Sequence, residues 1–182
     1  MSDDLEARVA ALEKQLARSQ AEIERLTVLD DVTGLPNRRG FFTLAEQELR
    51  LVRRQGVRAE IAVIDVEGLD VIVETQGEDA GANAIAEAAQ VLQANFRESD
   101  VIGRVADSEF AVFIVNPAID TSVLRKRLDR DVAAHNAVAD RAYQLSLSIG
   151  FLDSWDADDI AGLLAKADEA LYYEKVSRQE PL

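Results

Sequence analysis

Four short apolar runs, separated by segments with helical periodicity, restrict the folds that this chain can adopt. The runs lie at about residues 60–65, 101–105, 109–115 and 143–151, and the helical patterns lie at about 37–55, 68–75, 79–96, 119–136 and 158–176. Runs of that length are typical of strands, and amphipathic helices bury their apolar faces against a sheet. The short gap at residues 106–108 predicts a hairpin. The order α-β-α-α-β-β-α-β-α therefore predicts an α/β (α+β) domain, with one central sheet flanked by helices.

Composition restricts the class of partner. The 182 residues include 20 Lys+Arg and 34 Asp+Glu, which gives a formal net charge of −14. This charge argues against nucleic-acid and membrane binding, so an anionic ligand requires a local basic cluster. The chain has no cysteine, its apolar runs are too short to cross a membrane, and its first residues are acidic where a signal peptide is basic. We expect a cytoplasmic protein.

Residues 3–29 carry a seven-residue repeat in which apolar side chains alternate at spacings of four and three. The a positions are Val9, Leu16 and Ile23, and the d positions are Leu5, Leu12, Ser19 and Leu26. This narrow stripe favours a parallel two-stranded coiled coil, with a single helix lying on the domain as the alternative. We predict a coiled-coil helix over 1–29, a homodimer through 3–29, and a folded domain over 30–182.

Three motifs of the folded region resemble those of GGDEF domains, the diguanylate cyclases. Residues 30–39 (D-D-V-T-G-L-P-N-R-R) resemble the family's D-x-L-T-G-L-x-N-R-R opening, and residues 146–150 resemble its S-I-G strand. Residues 167–175 (A-D-E-A-L-Y-Y-E-K) resemble its A-D-x-A-L-Y-x-A-K helix. The resemblance implies the palm-like fold of nucleotidyl cyclases. It also implies condensation of two GTP into cyclic di-GMP across a dimer, which is a two-metal phosphoryl transfer.

The residues that this resemblance assigns to metal and phosphate binding are mostly replaced. Asp65 matches the family's first metal-binding Asp, but residues 106–110 are A-D-S-E-F where the family has G-G-D/E-E-F. Ser108 thus puts a weak neutral ligand in place of the second metal carboxylate. Ala106 and Asp107 place Cβ atoms where the two glycines let phosphates approach the backbone. We therefore expect no metal site and no Mg²⁺ at Asp65.

The two guanine-reading positions are replaced as well. Val73 and Ala82 stand where the family has Asn and Asp, and each lost hydrogen bond costs about 1–3 kcal/mol. Lys175 remains at a phosphate-contacting position. We predict no catalytic residues and no cyclase activity, with weak activity supported by Asp65, Glu67 and Lys175 as the alternative. The vestigial active site comprises Asp65, Ala106, Asp107, Ser108, Glu109 and Lys175.

One ligand-binding motif of the family is intact. Residues 97–100 (R-E-S-D) match the R-x-x-D of the inhibitory site, five residues before the signature turn, where active members bind cyclic di-GMP. An Arg fork donates to guanine O6 and N7, and an Asp accepts from its N1–H and amine. By spacing, Arg127 supplies the family's second arginine. Local positive potential is expected from Arg104, Arg125 and Arg130. The alternative is a surface salt bridge between Arg97 and Asp100.

These observations predict a catalytically inactive cyclic di-GMP receptor that binds through Arg97, Asp100 and Arg127 and carries no cofactor. Signalling would follow from altered dimer geometry or from docking of an unidentified protein partner. A ligand-independent dimeric scaffold is the alternative. His135 lies in the Ala-rich tail of a helix, where we expect no carboxylate near it and no acid–base role, and Trp155 is expected to pack at the start of the last helix.

Overall fold

The computed structural model describes residues 8–9, 12–15, 27–115, 120–138, 140–153 and 157–179. Its helices are α1 (Arg38–Gln55), α2 (Leu69–Gln76), α3 (Glu78–Asn95), α4 (Thr121–Val138) and α5 (Ile160–Gln179). Its strands are β1 (Ala59–Val66), β2 (Val101–Arg104), β3 (Glu109–Val115) and β4 (Leu147–Asp153). The predicted fold class and the predicted order of elements are confirmed.

The four strands form one antiparallel sheet in the order β2-β3-β1-β4. Every residue of β1 is buried, because this strand has a neighbour on each side and helices on both faces. The register places Asp65 opposite Glu109 of β3 and Ser148 of β4. Directly opposed side chains project from the same face of a sheet. These three polar side chains therefore share one face near the end of β1.

Helices cover both faces of the sheet. One core lies between the sheet and the helices α1 and α5, with Phe41 and Leu163 fully buried in it. The other core lies between the sheet and the helices α3 and α4, where Ile85 and Leu128 are buried. Helix α2 packs against α3 through a smaller cluster that contains Ile72. The sheet is thus the middle of three layers, which is the arrangement that the alternating elements predict.

Asn37 fixes the segment that leads into the domain. Its side chain accepts from the Gly40 amide at 3.0 Å and so caps α1. The same side chain donates to the carbonyls of Thr27 (3.1 Å) and Leu29 (3.2 Å). A bridge between Asn37 and Arg104 holds the segment at the edge of β2. Asn37 therefore ties the chain before the domain to a helix through its side chain and to the sheet through its backbone.

Strand β4 begins four residues later than the run at 143–151 predicts. The backbone of Leu145 bonds to the side chain of Asn136 instead of to β1. The Leu145 amide donates to Asn136 Oδ1 at 2.9 Å, and Asn136 Nδ2 donates to the Leu145 carbonyl at 2.8 Å. A side chain of α4 therefore takes over the backbone hydrogen bonding just before the strand starts.

Only part of the predicted coiled coil lies in the described residues. Residues 8–9 and 12–15 are helical and exposed, and the seam residues Val9 and Leu12 are 47% and 64% exposed. The other predicted seam residues lie outside the described part, so the coiled coil and the homodimer stay predictions. Among the described helices, none is both long enough and apolar enough to span a bilayer.

Candidate functional site

A cleft of about 800 Å³ opens where β1 ends, between the β2–β3 turn, α2 and the start of α3. It lies at the positions that the motifs assign to nucleotide binding. Its apolar wall includes Val32, Leu69, Val73 and Ile85. Among the described residues, the charged side chains that line it are Asp65, Asp70, Glu74, Glu78, Asp107 and Arg104. Carboxylates thus outnumber cations in the lining, which opposes the binding of a triphosphate.

Asp65 is engaged by two side chains of the protein itself. The residue is 8% exposed, at the end of β1. Ser108 Oγ donates to its Oδ1 at 2.7 Å, and Lys175 Nζ, from α5, donates to its Oδ2 at 2.7 Å. The ammonium neutralises the carboxylate, and both carboxylate oxygens have a donor. The structure therefore brings together three of the predicted vestigial residues in one hydrogen-bonded unit.

The residues around Asp65 do not fit a two-metal centre. Such a centre needs several oxygen ligands of negative charge, whereas Ser108 is neutral and Lys175 places an ammonium on the one matching carboxylate. Glu67 points its carboxylate elsewhere, accepting from Ser146 at 2.6 Å and from Ser148. Within the described part of the chain, no group of three or more His, Cys, Asp or Glu side chains could hold a metal ion.

The turn at residues 106–109 forms a tight hairpin, as predicted. The backbones of Ala106 and Glu109 exchange two hydrogen bonds, at 3.3 and 3.4 Å. Arg104 spans this turn, since its Nη2 donates to the Asp107 carbonyl at 2.7 Å and its Nη1 pairs with Asp30 at 3.1 Å. The one described cation that lines the cleft is therefore already bound to the protein.

Val73 closes the place where the resemblance puts guanine-reading groups. A Cβ added to Gly81 would lie 2.4 Å from Val73 Cγ2, so the valine packs directly on the glycine. Ala82, the other replaced position, is exposed at the cleft. Neither side chain can hydrogen-bond a base. The contact between α2 and α3 is thus apolar at this point.

Glu109 lies outside this cleft, beside a second cavity of about 140 Å³ that Arg38, Phe42 and Asp168 also line. Burial raises the pKa of Glu109, and the charges of Asp168 and Asp65 raise it further. Burial also raises the pKa of Asp168. Arg38 stacks on Phe42, with its guanidinium carbon 5.1 Å from the ring centroid. Glu109 thus lies on the same face of the sheet as Asp65 but lines the second cavity instead of the cleft.

The R-x-x-D motif forms the turn between α3 and β2. The Asp100 amide donates to the Arg97 carbonyl, and the Arg97 amide donates to Asp100 Oδ2, both at 2.9 Å. Asp100 Oδ1 accepts from the Val115 amide at 3.1 Å, which ties the turn to the end of β3. The Arg97 side chain is exposed, and within the described residues it has no ion-pair partner. The predicted alternative, a salt bridge between Arg97 and Asp100, is therefore wrong.

The structure brings Arg127 of α4 to the end of α3, two residues before Arg97. Its Nε donates to Asn95 Oδ1 at 2.9 Å, and its Nη2 donates to the Asn95 carbonyl. The three arginines expected to add positive potential are all paired: Arg104 with Asp30, Arg125 with Glu174 and Arg130 with Asp131. None of those three supplies an uncompensated charge to the turn.

The prediction that His135 has no carboxylate nearby is wrong. Its Nε2 lies 3.0 Å from Glu87 of α3, which also accepts from Arg141 (2.7 Å) and from the Tyr143 hydroxyl (3.0 Å). Although burial raises it, these hydrogen bonds hold the pKa of Glu87 below its usual range. Burial and Glu87 together raise the pKa of Tyr143 to about 12. The cluster joins α3, α4 and the loop before β4. Trp155 lies outside the described residues.

Comparison with solved structures places this geometry on a known fold. The chain is similar to the diguanylate cyclase SiaD of Pseudomonas aeruginosa, crystallised with its activator SiaC. The TM-score is 0.74 at 25% identity, covering 94% of this chain and 67% of SiaD. It is also similar in fold to a structure of DgcB from Caulobacter crescentus that comprises the coiled coil and GGDEF domain of that protein, crystallised with c-di-GMP. There the TM-score is 0.74 at 21% identity, covering 95% of each chain.

Sequence comparison agrees. The chain is 29% identical over 173 residues to MucR of Pseudomonas aeruginosa, a bifunctional diguanylate cyclase/cyclic di-GMP phosphodiesterase. That similarity covers 94% of this chain but 25% of MucR, so the chain spans about a quarter of the length of this relative. The family model described as "Diguanylate cyclase, GGDEF domain" matches residues 27–181. Because this match covers well over half of the chain, the protein belongs to the GGDEF domain family of diguanylate cyclases.

Proposed function

We propose that this GGDEF domain is a receptor for cyclic di-GMP that lacks cyclase activity. The ligand binds at the turn of Arg97 and Asp100, with Arg127 as the second arginine. The observation that carries the proposal is the contrast between the two sites. The cations at the cleft are bound to carboxylates of the protein, whereas the Arg97 side chain projects into solvent without an ion-pair partner among the described residues.

The chemistry of the turn suits this ligand. A guanidinium fork matches O6 and N7 of guanine, and its plane stacks on a base. Asp100 is half-buried and held by two backbone amides, so its carboxylate is fixed in place and retains lone pairs for the guanine N1–H and amine. The fold relative DgcB was crystallised with c-di-GMP, which makes this ligand the first one to test.

The lack of cyclase activity rests on the cleft. Catalysis would require metal ions beside the carboxylate of Asp65, which the Lys175 ammonium and the Ser108 hydroxyl occupy. It would also require hydrogen bonds to guanine, which Val73 and Ala82 cannot make. The excess of carboxylates in the lining repels a triphosphate. These are independent obstacles, so reversing one of them does not restore the reaction.

We further propose a cytoplasmic homodimer, joined through residues 3–29, in which ligand binding changes the dimer geometry or the docking of a protein partner. The helical residues 8–9 and 12–15 support the coil, because the seam residues Val9 and Leu12 are exposed and not buried in the core of the domain. SiaD was crystallised with a protein activator, which supports the search for such a partner. The net charge of −14 supports the absence of nucleic acid and membrane among the partners.

Isothermal titration of cyclic di-GMP into the protein tests the receptor proposal. We expect micromolar or tighter binding, and a loss of affinity of about fivefold to 150-fold in Arg97→Ala, since one bidentate contact with guanine contributes about 1–3 kcal/mol. Arg54→Ala, at an exposed arginine in the last turn of α1, is the matched control and should bind like the wild type. A folded wild type that binds no cyclic di-GMP would overturn the proposal.

The scaffold is the second candidate function. It is favoured by the hydrogen bonds that Asp100 accepts from the Arg97 and Val115 amides, which give that carboxylate a structural role without any ligand. Titration separates the two candidates, because a scaffold shows no heat of binding.

Chromatography of protein incubated with GTP and Mg²⁺ tests the weakly active cyclase. We expect no cyclic di-GMP above a protein-free control, and product that disappears in Asp65→Asn would establish residual catalysis.

A further inference from the structure

Asn95, the last residue of α3, is a buried polar residue whose side chain contacts both Arg127 and Asp131 of α4. It is 6% exposed. Its Nδ2 donates to the Val91 carbonyl at 3.0 Å, one turn back in the same helix. That bond fixes the orientation of the amide, so Oδ1 faces α4, where it accepts from Arg127 Nε at 2.9 Å. The Asn95 carbonyl accepts from Arg127 Nη2.

The pair of bonds to Asn95 restricts the Arg127 side chain. An arginine on a helix surface samples many rotamers, and ordering it when a ligand binds lowers the affinity. In this protein the Arg127 side chain loses that conformational entropy when the chain folds and not when the ligand binds. The reason is that Asn95, two positions before Arg97, holds two nitrogens of the guanidinium. The guanidinium is therefore preorganised beside the R-x-x-D turn before any ligand arrives.

The same bonds determine which donors Arg127 has left. A guanidinium carries five N–H groups. Nε and one N–H of Nη2 are directed at Asn95. No ion pair joins Arg127 to a described carboxylate, although Asp131, which pairs with Arg130 at 2.8 Å, also lies near Arg127 and Asn95. Three N–H groups, two on Nη1 and one on Nη2, and the flat face of the guanidinium are left. Arg97, in contrast, has its whole fork unengaged by any ion pair among the described residues.

We propose that Asn95 is a positioning residue of the cyclic di-GMP site, an inference that rests on the proposed function. By holding Arg127 through Nε and Nη2, it assigns different tasks to the two arginines. Arg97 supplies the fork that recognises guanine. Arg127 supplies a fixed flat face for stacking and a single donor edge for a base or a phosphate oxygen.

The test is a double-mutant cycle on ligand affinity, measured by titration with cyclic di-GMP. Asn95→Ala should weaken binding between about twofold and tenfold, the range expected for ordering one long side chain on binding. On the Arg127→Ala background the same substitution should change the affinity less than about twofold, because Asn95 acts through Arg127. Equal effects of Asn95→Ala on both backgrounds would overturn the inference.

Asn136→Ala is the matched control. Asn136 also sits on a helix of this layer, and its Oδ1 also accepts from an arginine, Arg141 Nη2, at 2.9 Å. It should lower the melting temperature as Asn95→Ala does and leave the affinity for cyclic di-GMP unchanged. A loss of affinity in Asn136→Ala equal to that in Asn95→Ala would show that general destabilisation causes both, which contradicts the positioning role.

Arg127→Lys keeps the inference testable if Asn95→Ala does not fold. A lysine preserves the positive charge but cannot form the two-point contact with Asn95 or stack as a planar group. We expect it to lose affinity within about twofold of the loss in Arg127→Ala. Wild-type affinity in Arg127→Lys would overturn the inference, since charge alone would then suffice. Absence of binding by the wild type would instead overturn the proposed function, so the two failures are distinguishable.

Discussion

Removing Lys175 tests whether the protein's own ammonium holds the carboxylate of the cleft. In Lys175→Met, Asp65 would keep its hydrogen bond from Ser108 but lose its counter-charge. Breaking a fully buried pair costs about 3–5 kcal/mol, and breaking an exposed one costs about 0–1 kcal/mol. The Asp65 side chain is 12% exposed and that of Lys175 is 34% exposed. The pair is therefore intermediate, and we expect a loss of about 1–3 kcal/mol in the free energy of unfolding.

Urea denaturation followed by far-ultraviolet circular dichroism, at one fixed protein concentration, measures this loss. Lys126→Met, at an exposed lysine of α4, is the control and should change stability by less than about 0.5 kcal/mol. In the Asp65→Asn background, Lys175→Met should cost little, because the charge that it compensates is gone. If Lys175→Met costs no more than Lys126→Met, the ion pair does not stabilise the cleft and our account of it is wrong.

Two further predictions concern other parts of the domain. Because burial first, and neighbouring carboxylates second, raise the pKa of Glu109 above 4.5, the unfolded chain releases this proton at lower pH than the folded chain. The ionised form of Glu109 therefore destabilises the folded state as pH rises. We expect Glu109→Gln to raise the melting temperature at pH 7 and to have no effect below about pH 4, where the wild-type carboxyl is protonated. A gain in melting temperature that grows on acidification would contradict this account. Asn37→Ala should cost about 1–2 kcal/mol through the lost cap. It should also speed hydrogen exchange of the Asp30 amide, which donates to Leu35 at 2.8 Å, whereas unchanged exchange would mean that the lead-in is held by other contacts.

The sequence was sufficient for the layered fold because its strongest patterns are local. The run around Ile61 and Val63 is apolar on both faces, and this predicts the central strand that the structure contains. The start of β4 could not be predicted, since it is set by the hydrogen bonds of Asn136, a residue of the preceding helix, to the backbone of Leu145. Apolar periodicity contains no information about a side chain that competes for backbone groups.

The sites were predictable to the extent that they follow motifs. Register with the hairpin identified Arg97 and Asp100, and the structure places both in one turn. The contacts that decide what these sites can do cross long sequence separations: Lys175 meets Asp65 across 110 residues, and Arg127 meets Asn95 across 32. Motif spacing gives the residue types but not their partners. Which group pairs with each cation could be determined only from the three-dimensional structure.

The two sites also differ in whether their cations already form ion pairs with carboxylates of the protein. In a chain with a net charge of −14, an anion binds where positive charge is not already neutralised. Arg104 lines the cleft and Lys175 contacts its residue Asp65, yet each forms an ion pair, with Asp30 at 3.1 Å and with Asp65 at 2.7 Å. A ligand phosphate there would have to displace a carboxylate that is already in place. At Arg97 no described carboxylate would have to be displaced, so in the proposed receptor the free energy of a guanine or phosphate contact at the turn would be retained as affinity.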